Sequence, residues 1–209
     1  MHSDVAGELR KSRALLLTTS AVACVVVLLD LILARSPHIS YGVRVTVALA
    51  GTLFISILAA GAPGAAPTFG LCGRPRQGWW YWLRASVVLG IASLAVVETV
   101  SRIFYGTGYV GGFSLPSASD VLFSCVMIPL CEEVIYRLLL CPPAVAIAGP
   151  WGGIVITGVV FAALHMAVGV SGPDNLLGGF VLAWVFVKSE TILLPIAFHS
   201  IGNLFALVN

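Results

Sequence analysis

The chain alternates long apolar runs with short polar or Gly/Pro-rich connections. The runs cover about 14–34, 43–61, 79–100, 120–141, a stretch within 144–170, 175–187, and 191 to the C-terminus. A bilayer core about 30 Å thick takes roughly 20 apolar residues in helical form, and several runs reach that length. The pattern predicts an all-α fold, a polytopic transmembrane helix bundle of about seven spans, with six to eight compatible. Pro142 and Pro143 are expected to end the fourth span, and Pro150 to break the fifth near its start. Trp79, Trp80, Tyr81 and Trp82 open the third run and suit a belt at headgroup level. The glycines at 149–158 read as close helix packing. Asp174 and Asn175 are expected to cap the sixth helix.

Composition agrees with the pattern. Of 209 residues, 59% are apolar and 10% charged, against about 25% charged in soluble domains. Mean hydropathy is +1.03. Such a chain has too few charges to cover a water-exposed surface. The net charge of +2 comes with no basic stripe interleaved with aromatics, which argues against a nucleic-acid partner. Five cysteines form no CxxC pair and lie mostly in apolar runs, so a disulfide framework is not expected. The expected partners are the lipid bilayer and a membrane-anchored substrate; nothing in the pattern fixes an oligomeric state.

Arg10, Lys11 and Arg13 precede the first run. That run is longer than a signal-peptide core of about 7–15 residues, so it reads as a retained span. The positive-inside bias puts the N-terminus, Arg74, Arg76 and Lys188 in the cytoplasm, while Arg35, Arg44 and Arg102 count against it. The expected location is a multi-pass protein of the plasma membrane.

An ionisable group in mid-bilayer costs about 2.5–3.5 kcal/mol on insertion scales, so such residues point to function. Glu132 and Glu133 lie in the fourth run, followed by Arg137. Glu132 comes twelve residues after Asp120, roughly 18 Å along a helix. Glu133 and Arg137, at i,i+4, can form an ion pair. Glu132 is rotated roughly 100° away, in register with Tyr136. It has no evident partner in the sequence and is left available as a general base or acid. Pro129 upstream removes a backbone donor and can kink the helix. Phe161 precedes His165 by one turn, and His199 and Asn203, also at i,i+4, can face one cavity. A glutamate and one histidine could activate a water, while the second histidine and the asparagine donate to an oxyanion. That constellation is a peptide-hydrolysis site.

Blander readings stand beside it. Glu133–Arg137 can be purely structural, and a single intramembrane histidine often only bonds a neighbouring helix. Cys131 reads as a small buried residue rather than a nucleophile. Glu98–Arg102 reads as an interfacial ion pair, and Asp30 as sitting near the interface. One feature fits badly: His165 lies near the outer end of its run, while Glu132 lies deeper.

Glu-Glu-x-x-x-Arg at 132–137, Phe-x-x-x-His at 161–165 and His-x-x-x-Asn at 199–203 occur in order, each in its own apolar run. This set resembles the CPBP family, the CAAX-protease and bacteriocin-processing (ABI) group that includes Rce1-type prenyl proteases. The resemblance covers about 117–209 as a catalytic core and leaves 1–116 as N-terminal helices and loops. It implies an intramembrane glutamate-type endopeptidase cutting a membrane-anchored peptide or protein near a terminus. CAAX-type, leader-peptide and C-terminal sorting-signal processing are the candidate reactions. By the resemblance, Glu132 with His165 would activate water, His199 and Asn203 would stabilise the oxyanion, and Glu133 and Arg137 would support the site. No cofactor is expected. A divalent metal such as zinc, if bound, would take Glu132, His165 and His199, although His-Glu-x-x-His spacing is absent. The alternatives are a non-catalytic immunity or scaffold protein of the same fold, and a transporter or channel. The last is weakened by the lack of symmetric halves.

Overall fold

The computed structural model describes residues 13–35, 41–61, 70–111 and 113–209. Arg10, Lys11 and most of the Gly/Pro-rich connection before residue 70 lie outside the described residues. Six helices make up the described part: α1 Arg13–Ala34, α2 Tyr41–Gly61, α3 Trp79–Tyr105, α4 Ala118–Ala167, α5 Pro173–Ser189 and α6 Leu193–Val208. Among the described residues there is no strand beyond an isolated bridge between Leu71 and Thr191. Helices α1, α3 and α4 are long and apolar enough to cross a membrane, while Gly42–Ile57 and Leu193–Val208 are shorter apolar helices. Large apolar side chains such as Leu17, Val88, Ile91 and Ile103 project outward from α1 and α3. An apolar surface of this extent calls for lipid rather than water.

Six helices stand where about seven spans, six to eight, are expected, because the fourth and fifth runs are joined in one helical stretch. Pro142 and Pro143 do not end it. Two π-helical segments explain why. Phe123–Met127 ends two residues before Pro129, and Val134–Leu140 two residues before Pro142. In the second, the Cys141 N–H reaches back to the Tyr136 carbonyl. A proline ring clashes with the carbonyl one turn back in a regular α-helix. The widened turn gives that ring room, and the chain stays helical.

The break comes instead at Gly149, with φ 77° and ψ 174°. That backbone region is essentially reserved for glycine. Pro150 then occupies the first position of the second limb, where its missing N–H costs nothing. Residue 153 returns against Val145, so close that a Cβ on Gly153 would overlap the Val145 backbone. α4 is therefore a helical hairpin with limbs 118–148 and 150–167. Glu132 and His165 lie seventeen and sixteen residues from its hinge. Equal arm lengths bring the two to one depth, which removes the apparent mismatch. Gly149→Ala is expected to cost about 1–3 kcal/mol through backbone strain alone, since nothing lies within 4 Å of the added methyl. Detergent-solubilised melting curves check this.

The buried segment Val134–Leu140 packs on α1 and α2, the second limb packs on α5, and α6 packs on the first limb. Gly158 meets the Phe180 ring, and Gly179 meets Phe161 and the Gly158 carbonyl. Within the expected stretch 149–158, Gly153 and Gly158 are closely packed, while Gly149 serves as the hinge. Trp79, Trp80 and Tyr81 are exposed, as a belt requires. Trp82 is not: it is buried against Val185 and Leu194, and its indole N–H donates to Gln77 at 2.9 Å.

The two ends of the bundle are distinct. At one, residues 70–78 are stitched to the α5–α6 turn: Arg76 N–H donates to the Ser189 carbonyl, Gln77 to the Lys188 carbonyl, and Arg76 pairs with Glu190. At the other, Arg35 caps the Ala167 carbonyl, Tyr105 reaches Ser171, and Tyr109 donates to Asp174 at 3.1 Å. Glu98 pairs with Arg102 there as expected, and also accepts the Tyr109 and Val110 N–H groups. Asp174 is thus not a helix cap: α5 starts after Gly172 with no side-chain cap.

Candidate active site

The charged residues of the first limb meet those of four other segments. Glu133 and Arg137 are both fully buried, with Nε 3.0 Å from Oε2. The expected ion pair forms, though the contact is too oblique to count as a hydrogen bond. Arg137 also donates to the Gly179 carbonyl at 3.4 Å and lies over the Phe161 ring at 4.8 Å. The face of an aromatic ring suits a cation removed from water.

From α6, His199 brings Nδ1 to 2.8 Å from Glu133 Oε1. From the second limb, His165 brings Nδ1 to 3.0 Å from the Phe161 carbonyl and stacks on the Phe161 ring. A carbonyl and an ion-paired carboxylate only accept, so each Nδ1 carries the proton. In the neutral rings each Nε2 then carries the lone pair. Both Nε2 atoms face the same oxygen: Glu132 Oε2 lies 3.9 Å from His165 and 3.8 Å from His199. That oxygen is buried and has no hydrogen-bond partner among the described residues. Glu132, Glu133, Arg137, His165 and His199 are therefore brought together, from three helical segments.

Asn203 is placed differently. Its Nδ2 donates to the Ser124 carbonyl at 2.7 Å. The local sequence explains the need. In the widened turn Phe123–Met127 the Ile128 N–H bonds to the Phe123 carbonyl, and residue 129 is a proline with no N–H. Ser124 is left with an orphan carbonyl, which Asn203 satisfies. Asn203→Leu removes that donor and is expected to cost about 1–3 kcal/mol, read as a lower unfolding midpoint.

Two site residues were not anticipated from sequence. Asp30 is 3% exposed, buried within the protein. It accepts from Arg44 Nε at 2.7 Å on one oxygen and from the Tyr136 hydroxyl at 2.7 Å on the other. Arg44 in turn reaches Glu132 Oε1 with Nη2 at 3.4 Å. Glu132 therefore does have a cationic partner, contributed by α2. The signal was present as an acid near the end of the first run and a base near the start of the next, on either side of one short connection. Cys131 is buried, as expected of a small packing residue.

Residues 114–205 match the family model described as Rce1-like, type II CAAX prenyl endopeptidase. Over these residues the chain is similar to an Rce1-like domain. No curated protein and no solved structure matches the chain. The matched residues contain the α4 hairpin, α5 and α6, and with them both glutamates, both histidines, Arg137 and Asn203. Asp30 and Arg44 lie outside it, on helices that precede the matched residues. Family and hydropathy together make this a membrane protein.

Tetrahedral zinc with bonds of 2.0–2.2 Å sets its ligand atoms about 3.4 Å apart. Glu132 Oε2 lies 3.8 and 3.9 Å from the two Nε2 atoms, and the Arg44 guanidinium already places a positive charge 3.4 Å from the same carboxylate. Among the described residues no cluster of His, Cys, Asp and Glu has metal-binding geometry. As placed, these donors do not have the spacing of a zinc site.

Proposed function

We propose that this chain is an intramembrane endopeptidase of the glutamate type, cutting a membrane-anchored peptide or protein near one terminus. One observation carries the reading: the unpartnered Oε2 of Glu132 faces the Nε2 atoms of two histidines on separate helices. Polar atoms just beyond direct hydrogen-bond distance are commonly joined through water. A water seated beside these three atoms is within reach of all of them. Glu132 accepts one of its protons, with His165 Nε2 as the second acceptor, and the oxygen attacks a peptide carbonyl. The proton then passes to the leaving amine.

His199 has its Nδ1–H committed to Glu133, so its Nε2 donates to an oxyanion only when the ring is doubly protonated. The cluster holds three carboxylates, Asp30, Glu132 and Glu133, against two guanidiniums, Arg44 and Arg137. One proton on the imidazole pair balances it. The second N–H of the Asn203 amide is the other candidate oxyanion donor.

The Arg76 and Lys188 end is assigned to the cytoplasm by the positive-inside bias, with the N-terminus on the same side and the plasma membrane as the location. The substrate class is a lipid-anchored tail, a leader peptide or a C-terminal sorting segment. The test compares membranes from cells producing the wild type or Glu132→Gln, with new protein termini identified by mass spectrometry, with and without a chelator. Termini made only by the wild type and insensitive to chelator support the reading. Identical termini in both move the weight to a binding or immunity role, and chelator sensitivity restores a metal.

A further inference from the structure

Glu132 has two oxygens in different surroundings. Oε2 faces the histidines. Oε1 is turned the other way, to Arg44. Arg44 is not free to follow it, because its Nε is fixed on Asp30 at 2.7 Å. Asp30 is itself fixed by the Tyr136 hydroxyl at 2.7 Å, and Tyr136 lies one turn from Glu132 on the same limb. The contacts close a ring through α1, α2 and α4: Glu132 to Arg44, to Asp30, to Tyr136, and back along the helix.

A guanidinium is planar and presents its donors in a rigid fork. With Nε on one carboxylate and Nη2 on another, its plane is set. A carboxylate whose Oε1 is held has the direction of Oε2 fixed as well. Such control is what a catalytic base needs, since misplacement by about 1 Å can cost about 10²-fold. Neither Asp30 nor Arg44 belongs to the matched residues 114–205.

We propose that Arg44 is a positioning residue for Glu132, held in place by Asp30, so that α1 and α2 form part of the active unit. This rests on the reading of Glu132 as the base. Arg44 touches the non-reacting oxygen and acts through Glu132 rather than on substrate. Loss of such an orienting partner is expected to cost about 10–100-fold, the range known for groups that orient metal-ligating side chains.

The experiment uses the full chain in detergent or liposomes, as wild type, Arg44→Lys, Arg44→Ala and Asp30→Asn. Two readouts are taken. The first is steady-state cleavage of a synthetic peptide spanning the site that the wild type cuts. The expected result is a kcat lower by about 10–100-fold in Arg44→Ala, with KM little changed, and partial restoration by added methylguanidinium. Arg44→Lys keeps the charge but loses the fork, and is expected to fall between. The second readout needs no substrate: the carboxylate stretching band of Glu132, isolated as an infrared difference against Glu132→Gln. That band is expected to move in the Arg44→Ala background.

Unchanged kcat with an unmoved band overturns the proposal. So does a joint loss of kcat, KM and melting temperature with no rescue and no band shift, which would make Arg44 a helix tie only. A wild type that cuts nothing removes the protease reading, and the infrared band then decides the contact by itself.

Discussion

Glu132→Gln is expected to lower the cleavage rate by about 10²–10⁴-fold, the range for removing a general acid–base group, while the protein still inserts and folds. The geometry separates the two effects. Glutamine keeps the shape, and its carbonyl oxygen can still accept from Arg44 where Glu132 Oε1 does, at 3.4 Å. Its amide NH₂ would replace Oε2, facing two imidazole Nε2 lone pairs at 3.8 and 3.9 Å, to which it can donate. No buried group is left worse paired. The substitution also removes one of three carboxylates facing two guanidiniums, so the cluster becomes balanced without an extra proton. Melting temperature should therefore match or exceed that of the wild type. What is lost is the one oxygen able to take a proton from water. Initial rates together with tryptophan-fluorescence melting check this. A rate within a few-fold of wild type, in a folded variant, would sink Glu132 as the base.

Hydrophobic patterning made the helices legible and left the connections between them unread. The first run was placed at 14–34 and α1 is Arg13–Ala34; the sixth at 175–187 and α5 is Pro173–Ser189. Such boundaries follow from the length of the apolar runs and the polar or Gly/Pro residues that bound them. The reading failed at Pro142–Pro143, because a proline's effect depends on the turn before it. A widened turn is a cooperative backbone state with no composition of its own, and it turned an expected helix end into a continuous limb. The same error displaced the site. Once the hinge moves from Pro142 to Gly149, the depths of Glu132 and His165 agree.

Local spacing revealed the i,i+4 pair Glu133–Arg137, and the motif set singled out His165, His199 and Asn203. Asp30 and Arg44 were missed because their partners are 106 and 88 residues away. Periodicity within one helix cannot report a contact between helices. The cost of an unpaired charge in the bilayer could have done so: a buried acid and a buried base on adjacent apolar runs each need a partner. The Ser124 carbonyl needed a further step, since its orphan state follows from the widened turn and Pro129 together.

Removing one member of the innermost pair should have the largest effect on stability. Arg137→Met leaves Glu133, fully buried, without its guanidinium. Breaking a buried ion pair by deleting one partner typically costs about 3–5 kcal/mol, whereas replacing both partners with neutral groups can be nearly neutral. The double variant Glu133→Gln with Arg137→Met should therefore recover much of that loss, with a coupling of about 1–3 kcal/mol between the two sites. Activity is expected to behave differently. His199 Nδ1 lies 2.8 Å from Glu133 Oε1, and a glutamine oxygen there can still accept that N–H but cannot balance a charge on the ring. If His199 must be doubly protonated to donate to an oxyanion, the double variant regains stability without regaining kcat. Unfolding in mixed detergent micelles, measured beside cleavage for both singles and the double, separates the cases. Recovery of both stability and rate in the double variant would leave Glu133–Arg137 as a structural pair alone. Recovery of stability alone would make Glu133 the counterion through which the fold charges His199.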